Sequence, residues 1–202
     1  MSKNDFEYLE KLDQRHLRFL IGSHAKAPIE MLYLESGAIP IRFIVSMRIM
    51  IYLQTLLKRD DKEVTKQILL AQREHTVKGD FVQLIKDDFE VIGVPINYEL
   101  FKQLPADVYK QFVKNKVRSA ALEHLLQIKE NHSKVKNIKY TDLQTQPYLL
   151  SDLFSNKDTE MLFNLRAKTD KNFKENFPSL NMGKVNCPLF CWELDETPPM
   201  DS

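Results

Sequence analysis

Apolar residues in this chain recur every three or four positions, punctuated by single glycines and prolines; that spacing suits α-helices, and almost nothing alternates with the period of a strand. Phe6, Leu9, Leu12, His16 and Leu20 fall on one face of a first helix, and Gly22 stands where such a helix needs a left-handed C-terminal cap. Pro28 and Pro40 can each occupy a helix's first turn, where a missing amide costs nothing, and Gly37 is the stop between them. The spacing therefore predicts a short helix near 28–36 and a long one near 40–58. Asp60 with Glu63 resembles a capping box in front of Val64, Ile68 and Ala71, in a helix to about Arg73. Asp80 can cap a helix carrying Phe81, Leu84, Ile85, Phe89 and Ile92 until Gly93 ends it. After a short segment at 97–104, Pro105 opens "ADVYKQFVKNKVRSAALEHLLQIK", the longest helix of the chain. "NHSKVKNIKY" is a basic loop without helical period, and Ser155 with Asp158 opens a last helix to about Ala167. The expected fold is all-α, an irregular multi-helix array of about eight helices. Its expected divisions are a first helical segment at 1–75, a second at 76–168 with the basic long helix, and an extended C-terminal tail at 169–202.

The 202 residues are 43% hydrophobic and 28% charged, an ordinary globular composition. The amino terminus mixes acidic with apolar residues and has no apolar run ending in small ones, so no secretory signal is read there and an intracellular protein is expected. The most apolar stretch, Ile41 to Leu57, contains Arg42 and Arg48, each costing roughly 2.5–3.5 kcal/mol at the centre of a bilayer. It reads as a core helix, and no membrane partner is expected. An arginine on so apolar a helix must find an acceptor or reach an edge.

A net charge of +1 conceals an uneven distribution, because residues 102–140 carry nine basic against three acidic side chains. Lys110, Lys114 and Arg118 are four apart and form one stripe on the long helix. With Arg42, Arg48, Lys116, Lys134, Lys136 and Lys139 they are the candidate nucleic-acid contacts; the interleaved Tyr109, Phe112 and Tyr140 are of the types that stack on bases. The same residues also suit a solvated amphipathic helix with aromatics in the core.

Catalytic patterns are missing. No Gly-x-Ser-x-Gly elbow occurs, and the five glycines are isolated, whereas phosphate loops need several close together. Asp60 with Asp61, and Asp87 with Asp88, are of the type that holds two magnesium ions. They are expected instead to serve a helix start and a solvated helix face. Cys187 and Cys191, the only cysteines, are one incomplete pair, since a closed zinc site needs four ligands. No metal, cofactor or enzymatic activity is expected.

The order of these pieces resembles a known arrangement. Residues 9–60 are similar to the thumb that follows the polymerase domain in reverse transcriptases of non-LTR retrotransposons, with Leu9, Glu10, Leu12, Leu17, Arg18, Gly22, Pro28, Glu35, Gly37, Pro40, Ile41 and Arg42 filling the pattern. "AQREHTVKGDFVQLIKDDFEVIGV", "HSKVKNIKY", "QPYLLSDLFSNKDTEMLFNLRAK" and "CPLFC" resemble the linker from that thumb to a terminal zinc knuckle. The knuckle's third and fourth ligands have no counterpart in "WELDETPPMDS", and no aromatic-x-Asp-Asp turn of a polymerase palm is present. The resemblance thus implies a non-catalytic fragment that binds RNA or an RNA/DNA hybrid. The alternative is a helical interaction fragment or element remnant, self-associating through apolar surface around Phe43, Met47 and Met50 that a missing polymerase domain leaves bare.

Overall fold

The computed structural model of the chain describes residues 3–132, 135, 138–153 and 155–167, and among these there are nine helices and no strand. They are α1 (Lys3–Ile21), α2 (Ile29–Ser36), α3 (Ile41–Leu57), α4 (Val64–Glu74), α5 (Phe81–Val91), α6 (Tyr98–Gln103), α7 (Ala106–Glu130), α8 (Pro147–Leu150) and α9 (Asn156–Arg166). The protein is all-α. The tail at 169–202, with Cys187 and Cys191, lies outside the described residues.

Prolines set three of the starts. Pro28, Pro40 and Pro105 directly precede α2, α3 and α7, without any side-chain cap, because a fixed φ and an absent amide already suit that position. Side chains set two others. The Asp80 carboxylate accepts from the Gln83 amide at 2.7 Å, and Ser155 and Asp158 form a reciprocal capping box. The box expected from Asp60 and Glu63 does not form: Glu63 makes no capping bond to α4, and Asp60 accepts from the Lys62 amide two residues on at 2.8 Å. A short acidic side chain reaches its own turn more easily than a helix still to come. Single-turn α8, opened by Pro147, has no periodicity to announce it.

The centre of the fold is the pairing of α3 with α7. Phe43 lies 5.6 Å from the His124 ring, while Tyr109 donates its hydroxyl to the Met50 carbonyl at 3.0 Å, so the two helices run antiparallel. Beyond Tyr109, the buried Gln54 amide donates to the Phe101 and Leu104 carbonyls at 2.8 and 3.0 Å and ties α3 to the end of α6. Lys66 donates to the Leu57 carbonyl at 2.6 Å, which closes α3 with a cation from α4; burial pushes that ammonium's pKa down. Phe43 and Met50, expected on a bare apolar surface, are 2% and 0% exposed, because α7 covers the face a polymerase domain was expected to cover.

The buried residues of α7 are Tyr109, Val113, Val117, Ala121, Leu125 and Lys129, each four after the last. At 3.6 residues per turn that line drifts about 40° per step. It therefore winds around the helix and packs on α3 and on α2. Phe89, Phe101 and Tyr109 form a chain of rings 5.3 and 5.2 Å apart at the junction of α5, α6 and α7. The hydrophobic cluster takes in residues from Leu17 to Ala167, on both sides of residue 75. No single helix among the described residues is long and apolar enough to cross a membrane; α2 and α3 reach that length only as a pair bent by 57°.

Candidate functional site

Lys110, Lys114 and Arg118 do line one side of α7, over about 12 Å of its axis. All three are exposed, but the Arg118 guanidinium is committed to the Leu143 carbonyl of the following loop. Lys116 is also exposed, yet two residues are 200° of helix, so it points away from the stripe. Lys139 is exposed in the segment after α7; Lys134 and Lys136 lie outside the described residues. Arg42 and Arg48 both reach solvent from α3, as an arginine on an apolar helix must, with Arg42 over the Phe43 ring at 5.3 Å. Six residues separate them, which is about 120° around the helix. Because α3 and α7 are antiparallel, Arg42 sits at the His124 end of the pair, and Lys110 is on the first turn or two of α7 at the other. Among the described candidates, Lys110, Lys114 and Arg118 share one side of α7, whereas Lys116 faces another side and Arg42 and Arg48 lie on α3.

The aromatics expected to stack on bases are engaged elsewhere. Tyr109 is fully buried, which raises its pKa, and Phe112 packs on the core. Tyr140 donates to the Glu35 carboxylate. The paired aspartates are also accounted for. Asp87 accepts from Gln83 at 2.7 Å, whereas Asp88, expected on a solvated face, is half-buried and accepts from the Ser46 hydroxyl of α3 at 2.6 Å. Burial raises the Asp88 pKa, with Asp87 adding to the shift and the Ser46 bond opposing it. No group of three metal-ligating side chains occurs among the described residues.

Two acids that the sequence reading did not single out as site residues organise the fold around α2. Glu30 and Glu35 sit in the otherwise apolar "IEMLYLES"; five residues apart, they point about 140° from each other. Glu35 is fully buried. Its carboxylate accepts from the hydroxyls of Tyr140 and Tyr148 and from Arg166 Nε of α9, the last two at 2.9 Å. Burial works against the Arg166 charge, but the Glu35 carboxylate and Tyr140 overcome it and raise the guanidinium's pKa. Around this cluster the Gln146 amide donates to the Glu35 carbonyl at 2.8 Å and Thr145 Oγ1 to the Ser36 carbonyl at 2.7 Å. The close passage requires Gly37, since a Cβ there would lie 2.4 Å from the Thr145 nitrogen, and its φ of 68° already favours glycine.

Glu30 faces a pocket of about 530 Å³ lined by α1 (Glu10, Gln14, Arg18), by 25–30, Tyr33, Pro40 and Arg42, and by His124, Leu125, Ile128 and His132. Arg18 is fixed in it by donating to the His24 and Ala27 carbonyls at 3.0 and 2.9 Å. Burial lowers the His124 pKa; Arg42 lowers it further and Glu10 partly restores it. Glu30 itself is 3% exposed, makes no hydrogen bond through its Oε1, and has one ionic neighbour, His132 Nε2 at 3.3 Å. The signal for both acids was present, in that a glutamate on an apolar helix demands a partner. Those partners were distant in sequence.

Comparisons of the chain with protein-family models, with curated proteins and with solved structures return no match.

Proposed function

We propose that the protein is a non-catalytic helical module, derived from a reverse transcriptase of a non-LTR retrotransposon, that grips the phosphate backbone of RNA or an RNA/DNA hybrid along α7. The observation that carries this reading is the uncompensated pair Lys110 and Lys114: both are exposed one turn apart, and neither takes part in any of the three ion pairs among the described residues. Lys116 and Lys139 add charge without sharing the stripe. Since Tyr109, Phe112 and Tyr140 are occupied, the contact is electrostatic and carries no base stacking, so the reading requires weak binding that is indifferent to sequence. The order of motifs in residues 9–60 supports the retrotransposon origin.

Fluorescence anisotropy with labelled single-stranded RNA, hybrid duplex and DNA at 50 and 200 mM salt tests it. Micromolar binding that weakens as salt rises, and that the K110E/K114E variant loses for every sequence alike, is the expected result. Arg118 is left intact because it holds Leu143. Unchanged binding in that variant removes α7 as the surface. A second reading, self-association, is favoured by Phe19 and Leu20, adjacent on α1 and 83% and 63% exposed. Light scattering on the eluting protein decides it: a monomer at every concentration counts against it.

A further inference from the structure

The pocket beside α2 holds a buried carboxylate that the fold does not satisfy. A buried carboxylate is normally hydrogen-bonded, and each exception asks for a reason. Glu35, on the same helix, has three donors, so the helix does not prevent it. Glu30 has only the half-exposed His132, at 3.3 Å and in a geometry that makes no hydrogen bond. A carboxylate is acceptor-only. What it lacks is a ligand edge that offers N–H donors.

The rest of the lining narrows the class. Arg18, Lys26 and Arg42 stand against Glu10 and Glu30, so with neutral imidazoles the pocket carries more positive than negative charge. A simple cation would meet the arginines, and a simple anion would meet Glu30. The ligand that fits both is neutral and donor-rich at one end and anionic at the other. Its size also fits, since a cavity of about 530 Å³ lies within the range that small ligands occupy. Among the common nucleobases, guanine alone presents two adjacent N–H donors on its Watson–Crick edge, matching the two oxygens of a carboxylate. Adenine and cytosine place an acceptor beside their amino group, and uracil flanks its single donor with two carbonyls.

We propose that this pocket binds a guanosine 5′-phosphate unit, with the guanine edge on Glu30, the apolar walls of Pro28, Leu125 and Ile128 against the base, and the phosphate toward Arg42 and Lys26. His132 covers Glu30 Oε1 in the structure and swings aside as the base enters. The unit is either a free nucleotide or an unpaired guanosine within an RNA strand. The pocket meets α7 at His124, Leu125 and Ile128, well along the helix from Lys110 and Lys114.

Isothermal titration calorimetry of the full chain with GMP, IMP, AMP, CMP and UMP at pH 7.5 tests it. GMP is expected to bind at least about tenfold tighter than IMP, which lacks the 2-amino donor, and the other three to bind more weakly still. Glu30→Gln should abolish the preference and His132→Ala should keep it. Arg42→Ala, exposed and without structural partners beyond the Phe43 ring, should weaken GMP while sparing guanosine, so the assignment remains testable if the Glu30 variant does not fold. K110E/K114E should bind GMP as the parent does even if it loses RNA, which separates this site from the α7 reading. A guanosine-containing hexamer that competes with GMP assigns the unit to RNA, and one that does not assigns it to the free nucleotide. Equal affinity for all five nucleotides, no heat with any of them at millimolar concentration, or a Glu30→Gln variant that still prefers GMP overturns the proposal.

Discussion

Replacing Glu35 by glutamine changes little volume and removes one charge from a fully buried site. The carboxylate holds the hydroxyls of Tyr140 and Tyr148 and the guanidinium of Arg166, an arginine largely withdrawn from water. Glutamine offers one carbonyl oxygen to donors that had two, and its amide faces groups that themselves donate. Hydrogen bonds to a charged group contribute about 1.5–3 kcal/mol each, and stripping one partner from a buried ion pair costs about 3–5 kcal/mol because the other charge is left uncompensated. The two estimates overlap rather than add, so Glu35→Gln should lower stability by about 3–5 kcal/mol. In a chain of this size that is a fall in Tm of roughly 6–20 °C. Denaturant unfolding followed by circular dichroism at 222 nm measures it, with the midpoint moving and the slope unchanged. Arg166→Met on the Glu35→Gln background should recover part of the loss, since it removes the stranded charge and leaves an apolar stem. A single Glu35→Gln variant within about 1 kcal/mol of the parent would falsify the account of this cluster.

Gly37→Ala combines an unfavourable φ with a 2.4 Å approach to Thr145, and should cost at least about 2 kcal/mol, whereas Gly79→Ala, with open space around it, should cost about 1 kcal/mol; thermal melts of the two side by side check the contrast. Tyr109→Phe removes the buried hydroxyl that donates to the Met50 carbonyl and should destabilise by about 1 kcal/mol. Burial raises the Asp88 pKa in the folded state, so its ionised form opposes folding above that pKa and the opposition fades as pH falls. Asp88→Asn should therefore raise the melting temperature modestly at pH 7 and lose the advantage near pH 3. His124 has the opposite sense: its folded pKa is depressed, so the stability its neutral form confers is complete above about pH 6.5 and is lost as pH falls through the folded value. A stability profile between pH 5 and 8 should flatten in His124→Gln.

Helix starts were legible where the cause is local. Pro28, Pro40 and Pro105 act through their own rings, and Ser155 through a partner three residues away. The stripe of Lys110 and Lys114 was legible for the same reason. What could not be read is whatever depends on a distant chain segment. Arg118 looked free because its acceptor, Leu143, lies 25 residues on in a loop without period. Tyr109 and Tyr140 looked like stacking platforms because their composition is the same whether they face a base or a core; the packing of α7 on α3 and the carboxylate of Glu35 decide it. The pocket was invisible because Glu30 and His132 meet only after α7 has folded back along α2. Periodicity records which face is buried, not which polar group it will meet.

Glu35 accepts from an arginine 131 residues further along the chain. At ordinary rates of synthesis, about 5–20 residues per second, Glu35 is added to the chain roughly 7 to 26 s before that arginine. Throughout this interval α2 carries a carboxylate whose arginine partner has not yet been made. The contact that ties α2 to α9 in the finished protein is therefore among the last that the growing chain can make.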